Sequence, residues 1–285
     1  MQNRRTFIKQ AGLLAAGSLF APQLLSSCAA GAKNIGLQLY SLRGMVQQEG
    51  IDATLKLVAQ MGYMNLETAG HADGKIYGMA PEEFKNKVTD LGMKVTSAHL
   101  GQGFTKGEEA KVLDWWKVAT DAHNAAGMKY MIMPWMPVGE KSDLDELKRY
   151  CDYFNQVGEI TNGSGLKFGF HNHAGEFKKI GEHVIYDYML ANTDADKVIY
   201  ELDVYWCQVG GADPVEYLKN HKKQITLTHI KDEKEIGASG MLDFEAIFKQ
   251  MYSNKMKDWY VEVERYTNND PKASVQASFD YLNEA

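Results

Sequence analysis

Cysteine is scarce in this chain: Cys28, Cys151 and Cys207 are the only three among 285 residues. That is too few for a fold built on disulfides. Basic charge is also short, with 31 Lys and Arg against 37 Asp and Glu. A polyanion partner such as DNA needs a basic surface, so nucleic-acid binding is disfavoured. Beyond the first thirty residues no apolar run approaches the roughly 18 needed for a membrane span. No Gly-x-Gly-x-x-Gly follows the first expected strand, which argues against a dinucleotide-binding sheet. No Pro/Gly/Ser-rich linker divides the rest, so one domain is expected. The remaining composition, 45% hydrophobic and 24% charged, is that of an ordinary globular protein.

The first stretch differs in kind. Arg4-Arg5-Thr6-Phe7-Ile8-Lys9 is a twin-arginine pattern, followed by the apolar run 11–25 and then Leu25-Ser26-Ser27-Cys28. A cationic head, an apolar middle and small residues before a cut describe an export signal. The ending resembles a bacterial lipoprotein signal, with Cys28 the lipidated first residue of the mature chain. The expectation is a signal at 1–27, a short tether at 28–33 and a domain at 34–285. Membrane contact would run only through the lipid anchor, at a periplasmic or outer-membrane location. Removing 1–27 takes three basic residues and no acid, moving the net charge from −6 to −9.

A weak repeat indicates the architecture. Gly62, Gly92, Gly127 and Gly165 each precede an apolar run, at spacings of 30, 35 and 38 residues. A glycine that ends a helix through positive φ, followed at once by a strand, is the grammar of a βα unit. Repeated at this period, it implies parallel strands joined by crossover helices. Eight strands are expected at 35–42, 64–69, 94–100, 130–136, 167–173, 198–206, 225–231 and 259–265. Amphipathic helices fall between them, among others at 53–61, 81–91, 108–126 and 144–161. About 250 residues and eight such units make an α/β fold, a single-domain (β/α)₈ barrel.

In that barrel the carboxyl ends of the strands carry the active site, and polar residues ending strands converge there. His171, Asp203, His229 and Glu262 each end a buried run, and imidazole with carboxylate suits a divalent transition metal. A strongly polar group on such a run is costly unless coordinated or paired. Side-chain alternation puts His173 on the face of His171, Lys231 on that of His229, and Glu264 on that of Glu262. Gln38, Tyr40, Glu67, His71, His99, Trp135, Glu176 and Asp232 complete the set of polar or aromatic strand-end residues. His71 and His99, taken singly, also suit hydrogen-bonded loop or core positions.

The chain resembles the xylose-isomerase-like sugar (phosphate) isomerase/epimerase superfamily over nearly all of its length past the leader. The resemblance is carried by Gln38-Leu39-Tyr40-Ser41-Leu42-Arg43, by His171-Asn172-His173 with Glu176-Phe177, and by Leu202-Asp203 followed by Gly210-Gly211-Ala212-Asp213-Pro214. His229-Ile230-Lys231-Asp232 and Val261-Glu262-Val263-Glu264 complete it. It implies one divalent ion, Mn²⁺ first, with Fe²⁺, Co²⁺, Zn²⁺ or Mg²⁺ as alternatives, on His171, Asp203, His229 and Glu262. The strand-five ligand of relatives is usually glutamate, which leaves Glu176 as an alternative to His171. Where many relatives carry histidine three residues after the strand-six aspartate, this chain has Trp206.

The implied chemistry is removal of a proton next to a carbonyl, with an enediolate stabilised by the metal. His173, Glu264 and Lys231 are the catalytic candidates, the first two for acid–base work and Lys231 for developing negative charge. Tyr40, Glu67, His99, Trp135, Glu176 and Trp206 are the substrate-contact candidates, the two tryptophans as a stacking wall or as core. The expected substrate is a small unphosphorylated sugar or keto-sugar, isomerised or epimerised. The alternatives are β-elimination from a 3-keto-glycoside and non-catalytic carbohydrate binding.

Overall fold

The computed structural model describes residues 34–104 and 107–284. Cys28 and the leader lie outside these residues. Eight parallel strands close into a barrel in sequential order: β1 (Gly36–Gln38), β2 (Asn65–Thr68), β3 (Lys94–His99), β4 (Tyr130–Met133), β5 (Lys167–His171), β6 (Val198–Asp203), β7 (Ile225–Lys231) and β8 (Tyr260–Glu262). β8 returns to β1 through Gly36–Tyr260 and Leu37–Val261. Two short antiparallel hairpins, at His71–Ala72 with Lys75–Ile76 and at Lys179–Ile180 with His183–Val184, decorate the loops after β2 and β5. No helix among the described residues is long and apolar enough to cross a membrane.

The four repeat glycines sit where the pattern put them. Gly62, Gly92, Gly127 and Gly165 have φ of 101°, 78°, 75° and 81°, in the region a residue without Cβ enters most cheaply. Outside the barrel, helices pack on the strands through a large core including Leu55, Phe84, Trp116, Phe154 and Phe168, all fully buried. Inside it, Ile132, Ile199, Leu227 and Tyr260 form a small separate apolar plug. Polar side chains fill the interior above that plug.

Most strands end earlier than the apolar runs suggested, and in three the local reason is plain. The run at 35–42 leaves β1 after Gln38, whose side-chain oxygen accepts the Tyr40 N–H and starts a 3₁₀ turn over Leu39–Leu42. The run at 198–206 stops at Asp203, whose carboxylate accepts the Trp206 N–H and caps the helix Val204–Val209. The run at 130–136 stops at Met133, before Pro134, a residue with no N–H for a ladder. The run at 225–231 is a strand along its whole length.

Candidate active site

The four proposed ligands come together at the carboxyl ends of β5, β6, β7 and β8. One ligand atom from each of His171, Asp203, His229 and Glu262 lies within 4.8 Å of the other three. Neighbouring strands bring Asp203 level with His229 in the ladder. His229 Nδ1 is 3.4 Å from Glu262 Oε2, and His171 Nε2 is 4.0 Å from Asp203 Oδ2. His229 Nδ1 and Asp203 Oδ2 are buried without a hydrogen-bond partner. Such orphaned polar atoms are rare in a settled interior and here share one pocket. Two imidazoles and two carboxylates also balance a divalent charge, so the residues present fit a metal ion.

The electrostatics describe a site under tension. Burial, then the nearby Glu262 carboxylate, pushes Asp203 up to about 7. Burial alone would depress His229, but Glu201, Glu67 and Glu262 outweigh it and hold the imidazole well above its ordinary range. His171 goes the other way, driven well below by burial and by the rings of His229 and His99. Burial would raise Glu262, yet Lys231 and His229 keep it well below the usual carboxylate range. A cation placed among these groups would relieve the crowded carboxylates.

A cavity of about 320 Å³ reaches two of the quartet, His171 and Glu262, and is lined besides by Tyr40, Ala69, His99, Pro134, His173 and Glu264. His173 follows β5, with its ring centroid 5.1 Å from that of His171. Its burial lowers the imidazole below the ordinary range. Lys231 Nζ is 2.7 Å from Glu264 and 3.3 Å from Glu262, and these acids with Asp203 raise its pKa although burial opposes them. Tyr40 stays 42% exposed at the rim, with the Arg43 guanidinium 4.4 Å above its ring.

The other substrate-contact candidates divide. His99 lines the cavity and reaches Glu201 Oε2 through Nε2 at 2.7 Å. Trp135, 45% exposed beyond Pro134, packs over Gly103 and is outside the cavity lining. Trp206 lies 5.8 Å from the His173 ring and 5.9 Å from Lys231 Nζ, and it does not line the cavity. Glu176 is neither a ligand nor a substrate contact. Its carboxylate accepts the His173 N–H at 2.7 Å and closes the 3₁₀ turn after β5. Glu67 is likewise no substrate contact: it is fully buried and accepts from Gln38 Nε2 at 2.7 Å and Ser97 Oγ at 2.6 Å. Its Oε2 is also 2.6 Å from His229 Nε2.

One buried group escaped sequence reasoning. Glu201, fully buried on β6, lies with its Oε2 2.7 Å from His99 Nε2, 3.2 Å from His229 Nε2 and 3.4 Å from His171 Nδ1. Burial and the neighbouring Glu67 carboxylate push it up to about 7. A signal for it existed: Glu201 precedes Asp203 by two in an otherwise apolar run, so both point into the barrel. His71 belongs elsewhere, its ring 4.9 Å from that of His123 on the helix Glu109–Ala125.

Residues 55–285 match the family model described as xylose isomerase-like TIM barrel. A solved Parabacteroides distasonis structure titled sugar phosphate isomerase/epimerase is 38% identical. Its superposition has a TM-score of 0.83, covering 89% of this chain and 98% of that one. Among curated proteins, an inosose dehydratase of Geobacillus kaustophilus is 26% identical over 225 residues, 71% of this chain and 70% of the relative. The apo structure of the E. coli 3-keto-D-glucoside 4-epimerase, 20% identical with a TM-score of 0.70 over 89% of this chain and all of that one, shares the fold.

Proposed function

The chain belongs to the xylose isomerase-like TIM barrel family and is an enzyme, and we propose that it removes a proton next to the carbonyl of an unphosphorylated sugar or keto-sugar. The reading rests on one juxtaposition: a buried metal-compatible quartet at the floor of a cavity whose wall carries two acid–base groups, His173 and Glu264. Isomerisation or epimerisation is the leading outcome.

His171, Asp203, His229 and Glu262 would hold one divalent ion, which supplies a Lewis acid toward carbonyl and hydroxyl oxygens. Two neutral imidazoles in place of further carboxylates favour Mn²⁺, Fe²⁺, Co²⁺ or Zn²⁺ over Mg²⁺, with Mn²⁺ first. His173, kept neutral near pH 7 by its lowered pKa, takes the proton from carbon. Lys231 stays cationic among Glu262, Asp203 and Glu264 and offsets negative charge arising on the substrate. Tyr40 offers a ring face at the rim, and His99 a polar group on the wall.

The absence of a phosphate on the substrate is supported by the cavity lining. It carries the carboxylates of Glu262 and Glu264, and the cation beside them, Lys231, is already engaged in ion pairs with both. A phosphate dianion would meet repulsion there. This departs from the sugar phosphate named for the Parabacteroides relative. The leader supports the same reading, since an exported lipoprotein anchored through Cys28 meets free or glycosidic sugars.

Elimination is the second reading, favoured by the match to an inosose dehydratase. Loss of a group β to the carbonyl begins with the same proton removal and differs only in what leaves. Incubating Mn²⁺-loaded protein with keto-sugars and keto-glycosides in D₂O decides between them. Deuterium at the carbon next to the carbonyl with an inverted or shifted centre supports epimerisation or isomerisation, and a released aglycone or water supports elimination. No exchange into any member of the panel would sink both.

A further inference from the structure

The two imidazoles of the quartet turn their far nitrogens inward, onto carboxylates that no substrate can reach. His229 Nε2 meets Glu67 Oε2 at 2.6 Å, and His171 Nδ1 faces Glu201 Oε2 at 3.4 Å. Glu67 and Glu201 are both fully buried, and neither lines the cavity. Glu67 is held in one place from three directions, by Gln38 from β1, Ser97 from β3 and His229 from β7.

A neutral imidazole has one N–H, and an ionised carboxylate can only accept. Once a cation in the quartet displaces the second proton of His229, Glu67 would keep the remaining one on Nε2 and leave the lone pair on Nδ1, the unpartnered atom that faces Glu262. Glu201 Oε2 lies 3.4 Å from His171 Nδ1, an atom that makes no hydrogen bond, and an N–H turned toward that carboxylate would leave Nε2 facing Asp203. Carboxylates behind ligating histidines fix ring orientation and tautomer in this way.

We propose that Glu67 and Glu201 are positioning residues, a buried floor that sets the tautomers of His229 and His171 and so aims their lone pairs at the metal quartet. The proposal rests on the metal reading above and adds a role for residues beneath the substrate cavity. A rival use of the same atoms is a second ion, because His99, His171, Glu201 and His229 also offer ligand atoms within 4.8 Å of one another. That use would require His171 and His229 to lose their remaining N–H and bridge two ions. The 2.6 Å contact between His229 and Glu67 is instead that of a short hydrogen bond to a carboxylate.

The test is Mn²⁺ titration of the full chain, with metal stoichiometry by elemental analysis, on the parent and on Glu67→Gln, Glu201→Gln and Ser97→Ala. One ion per chain is expected in the parent. Affinity should fall by about 10–100-fold in Glu67→Gln, and a smaller loss is expected in Glu201→Gln. Ser97→Ala removes one donor to Glu67 and should shift affinity in the same direction, which keeps the test open if Glu67→Gln does not fold. Nitrogen-15 spectra of the Zn²⁺-loaded parent should show the N–H on Nε2 of His229 and on Nδ1 of His171, a signature that a merely structural role would not predict. Unchanged Mn²⁺ affinity in the folded variants, the opposite tautomers, or two ions per chain with one lost in Glu201→Gln would each overturn the floor. A parent that binds no Mn²⁺ at all would remove the metal reading itself, and the floor with it.

Discussion

The Lys231 ammonium stands 2.7 Å from the Glu264 carboxylate, tying one candidate base to a cation on the neighbouring strand. A proton taken up by Glu264 would weaken that ion pair. His173, across the same cavity, is a buried imidazole with a lowered pKa, ready to accept at neutral pH. His173→Ala should therefore keep its metal and lose about 10²–10⁴-fold in the rate of proton exchange at the substrate carbon. The readout is deuterium incorporation from D₂O. Exchange at the parent rate would pass the role to Glu264.

Asp203→Asn should lose the ion and the activity together while the metal-free protein gains stability. Asn serves as well as Asp at the start of a helix, so the cap on Val204–Val209 survives. The carboxyl is raised to about 7 in the folded protein, above its ordinary value near 3.8. Its contribution is therefore full below pH 4 and is lost as pH rises toward 7. The Asn variant avoids that loss, worth on the order of a few kcal/mol at neutral pH. Thermal melts of the metal-free proteins should show the variant ahead at pH 7, with the gap closing toward pH 4. A variant less stable than the parent at pH 7 would contradict this.

Acid sensitivity should trace in part to His123. Its Nδ1 is 2.7 Å from the Ala119 carbonyl oxygen, its Nε2 has no partner, and burial pushes the ring down to about 4. A depressed pKa contributes stability that is present above the ordinary value near 6.5 and lost as pH falls toward 4. The full span is worth about 3 kcal/mol. His123→Gln should flatten the decline in urea-unfolding free energy between pH 6.5 and 4 relative to the parent. Parallel curves for the two proteins would rule out His123 as the cause.

Barrel closure should be intolerant of a methyl group at position 36. A Cβ on Gly36 would lie 2.4 Å from the Trp259 carbonyl oxygen and 2.6 Å from the Tyr260 ring, where β1 meets β8. The carbonyl belongs to the backbone and cannot swing aside, so Gly36→Ala should cost about 1–3 kcal/mol or more. Urea denaturation midpoints measure it, and an unchanged midpoint would mean that the strands part more readily than their packing implies.

Cys28 is proposed as the anchor. Cys28→Ala should turn a membrane-associated protein into a soluble one or block its processing. Replacing Arg4 and Arg5 by Lys should impair export along the twin-arginine route. Cell fractionation is the check, and unchanged partition in both variants would end the lipoprotein reading.

The barrel was legible because its signals are local. Gly62, Gly92, Gly127 and Gly165 mark helix ends by backbone sterics, and a run rich in β-branched residues such as 225–231 has no glycine or proline within it to end the strand. The ligand types and their alternation with His173, Lys231 and Glu264 could be read for the same reason. The ends of β1 and β6 could not, because the Gln38 and Asp203 side chains hydrogen-bond backbone N–H groups two and three residues ahead and turn the chain. Gln38 and Asp203 both look like strand-end site residues, and only the structure distinguishes what each one holds.

Sequence alone thus determined which side chains face into the barrel, since strand alternation is a property of the backbone. Tertiary structure decided how deep each one lies and what it meets. Glu67 comes from a strand 162 positions before His229, yet barrel closure brings their side chains to 2.6 Å and seals them from solvent. Depth separates Glu262, which lines the cavity, from Glu67 and Glu201, which lie beneath it. In water these carboxylates would be chemically alike; burial with Glu67 pushes Glu201 up, while Lys231 and His229 outweigh burial and hold Glu262 down.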